Sequence, residues 1–488
     1  MPLYLGLDSS TQSLTAVVLE VQASRKQIVW QSSMAFDEAL PEFGTRHGVL
    51  PNDDPSVVHA PPMMWAAALD RMLGRVAASG LDLSTLAAIS GSAQQHGSVY
   101  LASGDLREPG AVRLSRPTSP VWMDSSTPAE CQEIARAVGG EAVLAQRTGS
   151  RAFERFTGPQ IRRFFKTSPD QYAATSRIHL VSSFLASLLI GAHAPIDPGD
   201  GSGMNLMDLE TGTWWTPAVE ATAPGLADRL PPIVPSDTVI GTLSPYWQRR
   251  HALPTAHVVA WSGDNPCSLI GTGLVREGVV AISLGTSDTI FGLMKTPRVS
   301  ADGIGHVFGA PTGDFMEITV FRNGSLARER IRDQFGLTWE GFSRALAETP
   351  PGNHGRTMIP WFEPEITPRV AAAGVQRFNL DANDCAGNVR AVVEGQMTAM
   401  KRYSAWMGVD VRTIYATGGA SSNREILRVM ADVFDADVYQ FAAGNTAALG
   451  AALRAFHGSA KASGERLKWE DVVDGIYERT PISRSTTS

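Results

Sequence analysis

The sequence predicts an α/β protein made of two related halves. Apolar stretches of strand-like composition alternate with stretches of helical spacing, which is typical of layered α/β folds. A strand, a loop of small and hydroxyl-bearing residues, and a second strand occur near residue 3 and again near residue 278. This repetition indicates two domains. We predict bounds of 1–255 and 256–458, followed by an extension over 459–488 with a flexible polar tail.

The first hairpin consists of strands over residues 3–7 and 14–19, joined by the Ser- and Thr-rich loop 8–13. Hydroxyls and free backbone N–H groups converge at such a tip and suit phosphate oxygens. An ordinary turn is the alternative for either hairpin alone. A carboxylate beside phosphates indicates a cation between them, so Asp8 is a candidate Mg²⁺ ligand.

A helix and a strand are predicted next. Apolar residues from Trp65 to Val76 recur at helical spacing and indicate a helix over about residues 63–79, and residues 87–91 form a strand. The polar run 94–96 follows this strand, and polar side chains clustered at a strand end are suited to polyol recognition.

Two more helices are predicted in the first half. Asp124 precedes a helix that contains Ile134, and we interpret it as the helix N-cap, with a sugar contact as the alternative. The apolar run 180–190 is far shorter than the ~20 residues that cross a bilayer, so it predicts a buried helix.

Asp264 is the candidate general base. It follows the apolar run 258–261 and stands in a turn between Gly263 and Asn265. Phosphoryl transfer to an alcohol needs an acceptor for the hydroxyl proton. A plain Gly-Asp-Asn turn is the alternative, but the position just before the second hairpin favours a functional role. Cys267 is expected to pack in the core.

The second half begins with its own hairpin, with strands over 278–282 and 289–293 and the loop 283–288 between them. Further on, the strand 413–416, the Gly-rich turn 417–423 and a helix over about 424–434 follow one another. This order presents backbone donors and a positive helix end to a nucleotide, with an ordinary βα turn as the alternative. The small-residue helix from Thr446 onward is expected to be structural.

Composition excludes several classes of function. The chain has 488 residues, 43% of them apolar, and a net charge of −7, which argues against nucleic acid or an anionic membrane as the main partner. Three dispersed cysteines fit a reducing compartment, and we expect no secretory leader before the first strand. No P-loop, dinucleotide-binding or protein-kinase motif is present, so two phosphate hairpins point to an actin-like ATPase architecture.

The motifs taken together resemble the FGGY family of carbohydrate kinases, from Tyr4 to about His457. The resemblance rests on the two phosphate loops and on residues 41–45, 92–97, 121–126, 149–158, 200–205 and 263–265. It implies two actin-like, ribonuclease H-like ATPase domains flanking a central cleft. The N-terminal domain would bind the sugar and the C-terminal domain the nucleotide.

The resemblance implies a cytoplasmic enzyme that transfers the γ-phosphate of Mg·ATP to the terminal hydroxyl of D-xylulose, and it allows a homodimer. Another ketopentose or polyol, such as ribulose or glycerol, is the alternative, because the segment between Tyr100 and Pro120 is shorter than expected. An alternative of another class is a non-catalytic, ATP-gated protein of the actin or chaperone type, which would need no sugar pocket.

The resemblance also assigns roles to single residues. Asp264 would be the general base and Asp8 the metal ligand. The sugar-binding residues would be Gln95, His96, Arg155, Asp264 and Asn265. The phosphate-binding residues would be Ser10, Thr11, Gln12, Gly285, Thr286 and Ser287. The adenosine end would lie on Gly418, Gly419, Ala420 and Asn423, with Trp339 near the adenine. Trp339 could instead join Phe342 and Leu346 in the core face of a helix.

Overall fold

The computed structural model describes residues 1–22, 25–441, 444–477 and 479–483. The chain forms two compact units. Unit 1 contains Met1–Val275, Val307–Phe315 and Asn445–Ile476, and unit 2 contains Arg276–His306, Met316–Gly444 and the described residues from Tyr477 onward. Residues 256–275 and 445–476 thus pack with the first unit, and the division by function at residue 255 stays a prediction. The predicted flexible tail lies outside the described residues from 484 onward.

The strands are numbered in chain order over the described residues. They are β1 (Leu3–Ser9), β2 (Ser13–Gln22), β3 (Arg25–Ala35), β4 (His59–Ala60), β5 (Leu86–Ala93), β6 (Ser98–Leu101), β7 (Ser119–Pro120), β8 (Arg177–Leu180), β9 (Met207–Asp208), β10 (Thr213–Trp214), β11 (Val239–Thr242), β12 (His257–Val259), β13 (Ser262–Gly263), β14 (Val279–Leu284), β15 (Asp288–Met294), β16 (His306–Gly309), β17 (Phe315–Phe321), β18 (Thr357–Ile359), β19 (Gln376–Phe378), β20 (Thr413–Thr417), β21 (Asp437–Phe441) and β22 (Arg479–Ile482).

The α-helices are numbered in the same way. They are α1 (Phe36–Ala39), α2 (Pro62–Ala77), α3 (Pro128–Ala137), α4 (Glu141–Thr148), α5 (Thr157–Thr167), α6 (Pro169–Ala173), α7 (Val181–Ile190), α8 (Pro198–Gly201), α9 (Thr216–Thr222), α10 (Pro245–His251), α11 (Asp264–Gly271), α12 (Ser325–Gln334), α13 (Trp339–Glu348), α14 (Cys385–Ser404), α15 (Arg424–Phe434), α16 (Thr446–Ala462) and α17 (Trp469–Val473).

The main sheet of unit 1 has the order β11-β12-β5-β1-β2-β3, with β13 also paired to β5. Strand β1 is antiparallel to its hairpin partner β2 and parallel to β5, and β12 and β13 are parallel to β5. The carboxyl ends of β1, β5 and β13 therefore lie at one edge of this sheet. Functional groups in α/β proteins commonly lie at such an edge.

The main sheet of unit 2 repeats this plan, with its strands in the order β17-β15-β14-β20-β21-β22. Strand β14 is antiparallel to its hairpin partner β15 and parallel to β20, which is parallel to β21. Each sheet thus has a central strand with a hairpin partner on one side and parallel strands on the other. The predicted α/β fold of two related halves is confirmed.

The core of unit 1 is built on the predicted periodicities. Trp65 and Leu69 from α2 and Phe184 from α7 are fully buried in one cluster with Leu5 and Ile89 from the sheet. Helix α7 begins at Val181 and is buried almost throughout, as its apolar composition predicts. Burial of each such side chain stabilises the fold by about 1.5–3 kcal/mol.

Glycines allow α16 to approach the sheet and α11 closely. A Cβ at Gly6 in β1 would lie 2.0 Å from the carbonyl oxygen of Ala448, and one at Gly450 would lie 1.9 Å from that of Cys267. The predicted structural role of the small-residue helix is confirmed. Since α11 begins at Asp264, this packing also determines where the candidate base lies.

Two sequence-based element assignments are wrong. Asp264 is not in a turn but is the first residue of α11, directly after β13. Asp124 does not cap α3, whose N-cap is Thr127. Instead, the buried Asp124 carboxylate accepts hydrogen bonds from Val58 N, Gln160 Nε2 and both the backbone N–H and hydroxyl of Ser126. Ser126 is only two residues away, but Val58 and Gln160 come from distant segments, so local spacing could not reveal these two partners.

Candidate active site

Three strands of unit 1 align polar residues at their carboxyl ends. The register pairs Asp8 of β1 with Ser92 of β5, and Ser92 with Ser262 of β13. Asp264 follows β13 by one residue, and Gln95 follows β5 by two. The sheet therefore gathers the candidate metal ligand, the candidate base and a candidate sugar contact at one edge.

Asp8 is a partly exposed carboxylate whose side chain is hydrogen-bonded to Ser92. Ser92 Oγ donates a hydrogen bond to its Oδ1 at 2.7 Å. Burial raises the pKa of Asp8 to about 6, against the lowering effect of this hydrogen bond. A nearby cation would favour the ionised form of the Asp8 carboxylate, so a bound metal would lower its pKa.

Asp264 has the chemistry expected of a general base. Burial, and then the negative charge of Asp8, raise the pKa of Asp264 to about 7, while backbone hydrogen bonds from Asn265 and Gln95 act in the opposite direction. Its Oδ1 accepts a hydrogen bond from the Asn265 backbone at 2.8 Å. A base with a pKa near neutrality accepts a proton readily and is still substantially ionised.

Gln95 and Asn265 form a hydrogen-bonded pair beside this carboxylate. Asn265 Nδ2 donates to Gln95 Oε1 at 2.7 Å, and Gln95 Nε2 donates to the carbonyl of Gly199 at 3.2 Å. A Cβ at Gly263 would lie 2.3 Å from Gln95 Cγ, so a larger residue there would displace the pair. Gln95 thus orients Asn265, and through it the start of α11.

His96 is held as a neutral imidazole in a buried site. Its Nδ1 lies 2.8 Å from the carbonyl of Gly203, and because a carbonyl only accepts, Nδ1 carries the proton. Burial, together with the positive charge of Arg155, lowers the pKa of His96 to about 3. Nε2 is therefore an acceptor suited to a sugar hydroxyl.

Arg155 lies close enough to His96 for its charge to act on that imidazole. Its guanidinium carbon also lies 5.2 Å from the centre of the Phe153 ring. Burial lowers the pKa of Arg155, although the group stays charged at neutral pH. The sequence-predicted sugar residues of unit 1 are thus brought together, and their roles stay predictions.

The segment 197–205 supports this site and was not assigned a role from the sequence. It supplies the Gly199 and Gly203 carbonyls that hold Gln95 and His96. Buried Asp197 accepts from Ser262 Oγ at 2.9 Å and from Arg454 Nη2 at 3.3 Å. Asp197 and Arg454 are 257 positions apart, so no local sequence pattern indicates that they form a pair.

The first phosphate loop is a tight turn. Ser10 N and Oγ both donate to the Ser13 carbonyl, at 3.0 and 3.1 Å. Trp122 Nε1 donates to Thr11 Oγ1 at 2.8 Å, and the Gln12 carbonyl accepts from Phe36 N. The loop is therefore anchored at Ser10, Thr11 and Gln12.

The second phosphate loop lies at the carboxyl edge of the unit 2 sheet. The Gly285 carbonyl accepts from Ser325 N at 2.8 Å, and Gly324 approaches so closely that a Cβ there would lie 2.6 Å from the Thr286 carbonyl oxygen. Ser287 ends the loop before β15. Asp288 then forms a buried ion pair with Arg328 at 2.8 Å, which the sequence did not predict.

The Gly-rich turn lies beside this loop, because Ser283 of β14 is in register with Thr417 of β20. Gly418 has a φ of 83°, and a Cβ there would lie 2.7 Å from the Leu284 carbonyl oxygen. A Cβ at Gly419 would meet nothing within 4 Å, so this position borders open space. The adjacent Ala420 is partly exposed.

Asn423 joins the Gly-rich turn to α13. Its Oδ1 accepts from Glu425 N and Ile426 N and caps α15, while its Nδ2 donates to Ser343 Oγ at 2.8 Å. Trp339 is the first residue of α13 and is 41% exposed, with the Arg332 guanidinium 4.6 Å from its ring. The core face of α13 consists of the buried Phe342 and Leu346 without Trp339.

The comparisons with known proteins agree with this fold. The profile of the N-terminal domain of the FGGY family of carbohydrate kinases matches residues 3–271, and that of the C-terminal domain matches residues 280–459. The chain is 42% identical to xylulose kinase from Rattus norvegicus, covering 94% of this chain and 89% of that one. It is 40% identical to xylulose kinase 2 from Arabidopsis thaliana, covering 99% and 92%.

Solved structures share the fold at low sequence identity. The xylulose kinase structure from Rhodospirillum rubrum superposes with a TM-score of 0.81 at 21% identity, covering 99% of this chain and 94% of that one. The glycerol kinase structure from Plasmodium falciparum, with ADP, gives 0.78 at 15% identity, with the same coverage.

The class is that of a two-domain α/β carbohydrate kinase, an enzyme that phosphorylates a sugar. The chain belongs to the FGGY family of carbohydrate kinases. Among the described residues, no helix combines the length and apolar character needed to span a membrane.

Proposed function

We propose that this enzyme transfers the γ-phosphate of Mg·ATP to the terminal primary hydroxyl of D-xylulose and yields D-xylulose 5-phosphate. The observation that supports the reaction is that Asp264 and Asp8 lie at the same carboxyl edge of the unit 1 sheet, close enough for the charge of Asp8 to raise the pKa of Asp264. The relatives named xylulose kinase, at 40–42% identity over most of the chain, support the substrate.

Asp264 is the proposed general base. It accepts the hydroxyl proton as the oxygen attacks the γ-phosphorus, and the bond from that phosphorus to the bridging oxygen of ADP breaks. Its pKa of about 7 matches this task near neutral pH. The hydrogen bond from Asn265 N to Oδ1 keeps the Asp264 carboxylate in a defined orientation.

The sugar hydroxyls are recognised by His96, Arg155, Asn265 and Gln95. His96 Nε2 accepts, the Arg155 guanidinium donates, and the Asn265 amide does both. Because Gln95 Oε1 is already bonded to Asn265, Gln95 acts mainly by orienting that side chain. Burial of several donors and acceptors makes a missing or inverted hydroxyl costly.

The donor set at Asp8 fits Mg²⁺. Mg²⁺ prefers oxygen ligands and is usually held by one or two carboxylates together with substrate phosphates. Asp8 supplies the carboxylate, and the mutual repulsion with Asp264 that raises the Asp264 pKa would be relieved by a cation. When bound, the ion supplies charge neutralisation for the phosphates.

The protein residues proposed to bind the nucleotide come from both units. Ser10, Thr11 and Gln12 in unit 1 and Gly285, Thr286 and Ser287 in unit 2 bind phosphates. Gly418, Gly419, Ala420 and Asn423 bind the adenosine, and Trp339 lies near the adenine. The exposed Trp339 and the open space at Gly419 support this assignment. We place the reaction in the cytoplasm, because the three cysteines are free thiols.

The test is ADP release from Mg·ATP with D-xylulose, D-ribulose, L-ribulose, L-xylulose or glycerol supplied in turn. D-xylulose is expected to give the highest kcat/KM. Asp264→Asn is expected to lower kcat by about 10²- to 10⁴-fold, because it removes the proton acceptor while keeping the side-chain shape.

The matched control is Asp53→Asn, which changes an exposed carboxylate of the same unit and should leave kcat unchanged. A higher kcat/KM with another sugar would contradict the assignment of D-xylulose as the preferred substrate. Full activity of Asp264→Asn would contradict the assignment of Asp264 as the general base.

A further inference from the structure

Unit 2 contains a cavity that none of the proposed substrate residues lines. It has a volume of about 340 Å³ and lies between β18, β19 and one face of α14. Small-molecule sites typically have volumes of about 300–1,000 Å³ and mostly apolar walls. The size of this cavity therefore suits a compact ligand.

The walls of the cavity are largely aromatic and aliphatic. Met358, Pro360, Trp361, Phe378 and Tyr403 line it. Phe378 is 49% exposed, which is unusual for so large an apolar side chain. A flat apolar ligand would remove this surface from water, which favours its binding.

Two charged groups also line the cavity, and they differ in their partners. Glu394 Oε1 accepts from Arg390 Nε at 2.7 Å and from Gly352 N at 2.9 Å, so it already has an ion-pair partner, which also lies 3.5 Å from Asp432. Arg402 lies with its guanidinium 5.7 Å from the Tyr403 ring and, within the described part of the chain, has no carboxylate in ion-pair distance. Across the described residues, Arg402 is therefore the charged group of the cavity wall that has no ion-pair partner.

We propose that this cavity is a binding site for a small aromatic anion, whose ring system lies against Trp361, Phe378 and Tyr403 and whose acid group pairs with Arg402. The apolar wall selects the body of the ligand, and the charge complementarity selects the acid. One lining arginine, Arg402, is available to pair with an acid, so the ligand carries a single acid group rather than a polyphosphate.

The chosen probes are 2-naphthoate and its neutral counterpart 2-naphthalenemethanol, titrated calorimetrically into the full-length enzyme. One molecule of 2-naphthoate is expected to bind per chain, about fivefold more tightly than the alcohol, which is the effect of an exposed ion pair near 1 kcal/mol. Arg402→Gln is expected to remove this difference. Saturating ADP should leave the binding of 2-naphthoate unchanged.

Thr398→Trp places a large ring at an exposed position of the cavity wall and is expected to abolish binding of both probes. Arg136→Gln in unit 1 is the matched control and should bind both probes like the parent. Far-UV circular dichroism verifies that each variant is folded.

Several results would overturn the proposal. They are equal affinity for the two probes, no binding at millimolar concentration, displacement by ADP, or unchanged binding in Thr398→Trp. Analytical sedimentation of the same variants measures their oligomeric state. If Thr398→Trp converts a dimer into monomers, this surface is an interface between two copies of the chain and not a ligand site.

Discussion

The ionisation of the Asp264 carboxylate is expected to determine how the reaction rate depends on pH. We expect kcat/KM for the sugar, measured with saturating Mg·ATP, to fall about tenfold per pH unit on the acid side of a midpoint at or below pH 7. The reason is that the base must be ionised, and its pKa is about 7 before a cation binds. Rate measurements from pH 5 to pH 9 test this expectation. A rate that stays constant down to pH 5 would contradict it.

A substitution at His96 can test sugar binding without disturbing the folding of the chain. Its φ of 72° is tolerated by Asn, and Asn Nδ2 can replace His Nδ1 as the donor to the Gly203 carbonyl. His96→Asn should therefore fold normally, raise the KM for D-xylulose by about tenfold through loss of the Nε2 acceptor, and leave the KM for ATP unchanged.

Steady-state kinetics and thermal unfolding of His96→Asn provide the measurement. His96→Ala is the comparison, because it loses the bond to Gly203 as well and should also unfold at lower temperature. An unchanged sugar KM in His96→Asn would remove His96 from the proposed sugar site.

The contact between α11 and α16 is the packing on which the position of the base depends. A Cβ at Gly450 would lie 1.9 Å from the Cys267 carbonyl oxygen, so the two helices must separate to admit it. Gly450→Ala should lower the free energy of unfolding by about 1–3 kcal/mol, as overpacked cores do. Since α11 begins at Asp264, kcat should fall as well.

Urea unfolding followed by circular dichroism measures this loss. Gly110→Ala is the matched control, because a Cβ there meets nothing within 4 Å and the change should stay within about 0.5 kcal/mol. If Gly450→Ala equals this control, the close packing does not matter for stability.

The whole molecule consists of two units with similar sheets, and the proposal assigns sugar and adenosine to different ones. D-xylulose alone should slow amide hydrogen exchange around residues 95–97, 199–205 and 262–265 of unit 1. ADP alone should slow exchange around 418–423 of unit 2, because ligands stabilise the segments that they contact.

Hydrogen exchange followed by mass spectrometry resolves these segments. The peptides of α2 serve as an internal control, because this helix contains none of the residues proposed to bind sugar or nucleotide. Protection of 418–423 by D-xylulose, without protection of 95–97, would contradict the assignment of the sugar to unit 1.

The sequence by itself determined the elements whose signals are local. The hairpin at Asp8, helix α2 and the turn before α15 follow from periodicity and from Gly, Ser and Thr composition, which act over a few neighbouring residues. The family was also predictable from its motifs, and the candidate site residues with it.

Only the tertiary structure decided which residues meet. The register of β1, β5 and β13 aligns Asp8, Ser92 and Ser262, and long-range packing buries Asp197 against Arg454. The same packing engaged Asp124 with Val58 and Gln160 rather than with a helix end. Hydrogen bonds and desolvation depend on distance in space and not on separation along the chain, which is why these partners and the raised pKa of Asp264 could not be predicted from spacing.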